Sequence, residues 1–195
     1  LNSAISATGN VFLSASQGSI LDGRAAGGPD IMAAGVVLTA ATGIGTPSDP
    51  IEIQANNLEV NAGTGGIWIA NAGGLTIGGI SSTVGLTAQG AISVSASSPL
   101  TVAENVTGSS SVMLTAGESA APNDNLVVNG GVTVSGASVT LLAGDDITLA
   151  AGSTVNAPGG SVILRGDQGS VDTTGATISL SGAVSAASLA VYGNA

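Results

Sequence analysis

The feature that most constrains this chain is an eight-residue pattern that recurs seven times. It reads VFLSASQG from Val11, VVLTAATG from Val36, LEVNAGTG from Leu58, VGLTAQGA from Val84, VMLTAGES from Val112, VTLLAGDD from Val139 and VILRGDQG from Val162. An eighth copy, LAVYGNA from Leu189, meets the end of the chain. Successive copies start roughly 22 to 28 residues apart, a loose but sustained period of the kind that solenoids show. Within each copy the first and third residues are apolar and the fifth is Ala or Gly. Alternate residues of a strand share a face, so these three positions point inward, with the smallest where the strand narrows into a corner. The glycines and polar residues that follow supply the turn.

Between the copies lie further short runs: Ile67-Trp68-Ile69, Leu75-Thr76-Ile77, Ile92-Ser93-Val94, Leu100-Thr101-Val102, Leu126-Val127-Val128, Val132-Thr133-Val134, Ile147-Thr148-Leu149 and a weaker one around Val155. Three short strands per unit of about 22 to 28 residues are what one solenoid coil requires. The sequence therefore predicts an all-β chain, a right-handed parallel β-helix (β-solenoid) of about seven coils. The first two units fit less well, with Pro29, Pro47 and Pro50 marking longer loops. A helix is excluded because no window carries apolar residues at i, i+3, i+4 and i+7. A β-sandwich does not demand one motif at one phase of every unit, whereas coils stacked about 4.8 Å apart do. Seven coils give a rod on the order of 35 Å long.

Composition agrees. Hydrophobic residues make up 44% of the chain but include one Phe, one Trp and one Tyr, so aliphatic and small side chains must form the core. Lysine and cysteine are absent, Arg24 and Arg165 are the only cationic side chains, and the formal charge is -10. Nucleic-acid partners and anionic membrane surfaces are excluded by that charge. Disulfides, thiolate chemistry and cysteine zinc sites are excluded as well. No apolar run reaches membrane-spanning length, so membrane insertion is not expected. Neither end shows a solenoid cap or a signal peptide, and residues 1–195 are expected to be a single capless segment of a longer repetitive protein.

The runs ISATGNVFLSASQGSILDG, TPSDPIEIQANNLEVNAGTGGIWIANAGGLTIGG and VTLLAGDDITLAAGSTVNAPGGSVILRGD resemble the shaft repeats of filamentous haemagglutinin-like exoproteins. The resemblance covers nearly the whole chain and rests on repeat composition. It implies a secreted or cell-surface bacterial protein, commonly exported by two-partner secretion, serving adhesion, biofilm or filament formation. The Asn-Pro-Asn type motif of that family's secretion domain is missing here. Implied partners are flanking coils of the same chain, further copies through lateral or end-to-end association, and a receptor or glycan on a host or neighbouring cell.

Chemistry has few carriers. Histidine is absent, which excludes Ser-His-Asp triads and histidine metal sites. Asp145, Asp146, Asp167 and Asp172 are the carboxylates available to a β-helix enzyme acting on polysaccharides, the main alternative function; the competing reading is turn capping by Asp. The calcium-binding nonapeptide of stacked coils does not occur, so no cofactor is expected, with Gly144, Asp145 and Asp146 open to adventitious calcium. Arg165, Gly166 and Asp167 spell a recognition tripeptide entering a turn, and Asn105-Val106-Thr107 is a glycosylation-type sequon. The outward positions Thr76, Thr101, Thr133 and Ser179 read as a polar column, the feature an ice-binding solenoid would need, although irregular unit lengths disfavour that function. Phe12, Val37, Trp68, Met113 and Ile163 read as outward apolar residues. They form either a lateral contact face or a surface covered by a long loop.

Overall fold

The structure is a computed structural model that describes residues 1–24, 27–82, 85–172 and 175–193. Among the described residues, 21 strands join in one continuous sheet wound into a parallel β-solenoid of about seven turns, and none of these residues is helical. The expected fold class is therefore observed.

Three ladders run along the solenoid. The first stacks Asn10–Ala15, Gly35–Ala40, Asn57–Ala62, Leu86–Ala88, Val106–Gly108 and Thr133–Ser135, then the leading part of Thr154–Arg165 and of Ala183–Tyr192. The second begins where Ile20 bridges to Ile44. It continues through Gly66–Asn71, Ile92–Ala96, Ser111–Ala116 and Ser138–Ala143 into the trailing part of the same two long strands. The third, Leu75–Ile77, Leu100–Val102, Leu126–Val128, Ile147–Leu149 and Ile178–Leu180, is distinct only in the later coils. At its start, Leu75–Ile77 stacks on the beginning of Asn57–Ala62. In the earlier coils the corresponding corner holds Ile5–Ser6, Ile31–Met32 and Ile51–Gln54. The poorer fit of the first two units is thus a real difference in coil shape.

Register corrects the expectation that the motif keeps one phase. The copies from Val11, Val36 and Leu58 stack on the first ladder, and Leu86 of the fourth copy follows them there, Val84 lying outside the described residues. The copies from Val112, Val139, Val162 and Leu189 stack on the second. Val112 pairs with Ile92, while Leu86 pairs onward with Val106. The physical reason is that each coil has two strands ending in a small or polar inward residue, such as Leu58 to Ala62 and Ile67 to Asn71. Either can carry the pattern. Along the second ladder Ile20, Ile44, Ile67, Ile92, Val112, Val139, Val162 and Leu189 succeed one another, one per coil. The step from Ile92 to Val112 is the shortest of these, and that coil falls below the expected minimum length.

The core is aliphatic. Val36, Leu58, Ile77, Val102, Val128 and Leu149 form one wholly buried row, each residue paired with the next coil's equivalent. Each contributes about 1.5–3 kcal/mol by leaving water. Ala40, Ala62, Ala88, Ala116 and Ala143 are buried at the narrowing corners, as their size suggests. Gly63 shows how tight the turns are. A Cβ there would lie 2.0 Å from the Ala41 carbonyl oxygen, so any side chain would push two coils apart.

Leu114 is fully buried between Val94 and Leu141 of the adjacent coils. Leu114→Ala should cost about 2–5 kcal/mol, read as a lower midpoint in urea unfolding.

Candidate functional site

Among the described residues, two trios of carboxylates form where the turns of neighbouring coils meet. In each, one oxygen per residue lies within 4.8 Å of the others: Asp22, Asp30 and Glu52 near the first coils, and Glu118, Asp145 and Asp172 near the last.

In the first trio one carboxylate is paired with an arginine. The Arg24 guanidinium donates to Asp30 Oδ1 at 3.2 Å and to the Pro29 carbonyl at 2.8 Å. Arg24 N–H donates to Asp22 Oδ1 and Glu52 N–H donates to Asp30 Oδ2. The Arg24 amide holds the Asp22 carboxyl below its ordinary value. Burial, and then the neighbouring Asp30, push Glu52 up.

The second trio is built on the second ladder. Its strands end at Ala116, Ala143 and Arg165, and the chain turns at Gly117, Gly144 and Gly166. Coil stacking puts the residues after these glycines side by side: Gly144 N–H donates to the Ala116 carbonyl, and Asp167 N–H to that of Asp145. Glu118 sits between glycines of two other turns. A Cβ on Gly144 would meet the Glu118 Cα at 2.8 Å, and one on Gly169 would meet its Cβ at 3.2 Å. Neighbouring carboxylates cap backbone, as turn chemistry predicts. Asp145 Oδ2 accepts from Asn123 N and Asp124 N at 2.6 and 2.8 Å, Asp124 Oδ2 from Ser119 N, and Asp146 Oδ1 from Thr177 N. Three oxygens do not fit that pattern. Glu118 Oε1 and Oε2 and Asp145 Oδ1 are buried without a hydrogen-bond partner, and Asp145 is only 3% exposed.

Other residues singled out in the sequence fall as follows. Arg165 is exposed with its guanidinium 4.9 Å from the Tyr192 ring centroid, Gly166 is buried, and Asp167 occupies the left-handed region at φ 54°. Asn105 is exposed, and its Oδ1 accepts from Thr133 N. The polar column is Thr76, Thr101, Val127, Thr148 and Ser179; Thr133 pairs instead with Thr154 on the first ladder. The five outward apolar residues divide between two ladders. Phe12 and Val37 adjoin on the first; Trp68 and Met113 both pair with Ser93 on the second, where Thr140 separates Met113 from Ile163.

Val37 is buried because a loop lies over the first ladder. Glu59, the outward residue next to Val37, is fully buried; it accepts from Ile80 N, Ser81 N and Ser81 Oγ at 2.6, 2.9 and 2.5 Å. Glu104 accepts from Gly79 N and Gly85 N on either side of that segment. Covering by a loop thus accounts for Val37, while Phe12 stays 63% exposed.

No family model matches the chain, and no curated protein or solved structure matches it.

Glu118 was not singled out from sequence, yet a signal existed: Glu118 of VMLTAGES and Asp145 of VTLLAGDD occupy the same place in their copies. Asp172 carries no such mark, since it comes from a loop of different length.

Two outcomes follow from this geometry. Glu59→Ala removes a buried acceptor from three donors and should cost at least about 2 kcal/mol, with faster amide exchange at Ile80 and Ser81 as the local readout. Burial, and then the charges of Asp172, Asp145, Asp124 and Asp167, push the Glu118 carboxyl above its ordinary value. The folded chain therefore holds this proton more tightly than the unfolded one. The stabilisation is complete below the ordinary Glu value and is lost as pH rises through the raised one. With a chelator present, the melting temperature of the protein relative to Glu118→Gln should rise as pH is lowered from roughly 7 to roughly 5.

Proposed function

We propose that this chain is a shaft and display segment of a large extracellular bacterial adhesin-like protein, akin to filamentous haemagglutinin-like exoproteins, and that it works without catalytic turnover. One observation supports this reading most: coil stacks on coil through unbroken parallel ladders over a buried aliphatic row that repeats from Val36 to Leu149, the build of a rod that presents its side faces. The solenoid itself is shared by many activities, so the adhesive role draws on the repeat resemblance.

On this reading, surface contacts are distributed over the ladders and side loops, with Phe12, Met113 and the Arg165 turn among the exposed groups. The buried oxygens of Glu118 and Asp145 are out of reach of a polysaccharide, which weighs against a glycosidase centre at that cluster. The interrupted Thr column, with Val127 inside it, offers no regular array for ice.

Beads coated with the chain should attach to bacterial or host cell surfaces, and a panel of acidic polysaccharides should remain uncut in its presence. A defined cleavage product, or no attachment to any surface tested, would count against the proposal.

A further inference from the structure

Both carboxylate trios bring one oxygen per residue within 4.8 Å of the others, and they differ in what balances their charge. Arg24 reaches into the first and hydrogen-bonds Asp30. Neither arginine forms a salt bridge with Glu118 or Asp145 among the described residues. Charged groups buried without a partner are strongly unfavourable, and folded chains normally pair them or use them to coordinate a metal. Here both Glu118 oxygens and Asp145 Oδ1 are sealed from solvent and receive no donor. Asp145 is fixed by the amides of Asn123 and Asp124 on its other oxygen, which leaves Oδ1 as the one available for coordination.

From this arrangement we infer that Glu118, Asp145 and Asp172 form a calcium site that ties together the turns of three successive coils. Size supports the choice of ion. Calcium takes oxygen ligands at about 2.3–2.6 Å, so oxygens all within 4.8 Å of one another can touch a single ion. Carboxylates, backbone carbonyls and water complete such a shell, whereas magnesium demands a regular octahedron at about 2.0–2.1 Å. The cluster holds no sulfur or imidazole donor, and the chain has neither cysteine nor histidine, which disfavours softer metals. A divalent cation would offset the crowding of three carboxylate oxygens within 4.8 Å of one another.

Bound there, the ion would fasten the loop 117–125 and the segment around Asp172 to the end of the second ladder. Those segments connect the second ladder to the third. The site would act as a stability clamp on the later coils, set by external calcium.

The test is equilibrium dialysis of the full chain against radioactive calcium, paired with thermal unfolding in calcium and in EDTA. One saturable ion per chain is expected, with affinity in the range of extracellular modules, about 0.1–1 mM. Glu118→Gln and Asp172→Asn should each weaken binding at least about tenfold, while Asp49→Asn, remote from the cluster, should leave it unchanged. Calcium should raise the melting temperature of the native chain. In EDTA the order should reverse, Glu118→Gln melting above the native chain because the unpaired charge is gone. Absence of saturable binding up to about 10 mM calcium, ten times the weak end of that range, would overturn the inference. So would folded Glu118→Gln and Asp172→Asn chains that both bind as tightly as the native one.

Discussion

Everything in this molecule depends on parallel hydrogen bonding between one coil and the next. Because each rung is bonded in register to the rung beside it, a side chain pointing inward at one level stands on its equivalent at the levels above and below. The wholly buried row from Val36 to Leu149 is the result. Such a core is built one layer at a time and needs no large aromatic residues to fill its centre. The single Phe is exposed and the single Trp lies on the outer surface, with its indole N–H donating to the Gly65 carbonyl. Alanine and glycine at the corners let the backbone turn within one coil's thickness.

The same stacking makes polar side chains at the corners powerful and costly. A carboxylate beside a turn can hold an entire loop, as Glu59 and Glu104 hold the segment that covers Val37. Stacked on other carboxylates, it accumulates charge. The chain answers this at the Asp30 end with Arg24, one of its two cations. At the other end neither arginine forms a salt bridge with Glu118 or Asp145 among the described residues, and three of their buried oxygens receive no donor.

Much of the architecture was legible in the sequence because apolar alternation and a small corner residue are local signals. Runs such as Leu100-Thr101-Val102 and Ile147-Thr148-Leu149 became strands with their apolar residues inward. The motif's phase was not legible, because LEVNA and ISVSA look alike although they stand on different ladders. Thr133 was assigned to the wrong column for the same reason. Phe12 and Met113 were read as outward correctly, but whether Val37 was covered depended on Glu59 accepting hydrogen bonds from residues more than twenty positions away. The carboxylate trio was half visible: Asp145 and Asp172 stood out as acidic turn residues, and Glu118 did not.

The sequence by itself determined that this chain is a strongly acidic solenoid of short aliphatic coils with an irregular period. Period, side-chain alternation and charge are properties of neighbouring residues and survive without knowledge of the fold. The tertiary structure alone decided which ladder each copy joins, which outward residues lie under a loop, and which carboxylates share a corner. Those outcomes turn on loop lengths and on hydrogen bonds between coils. A change of a few residues between strands leaves the local pattern intact and still changes which side chains meet.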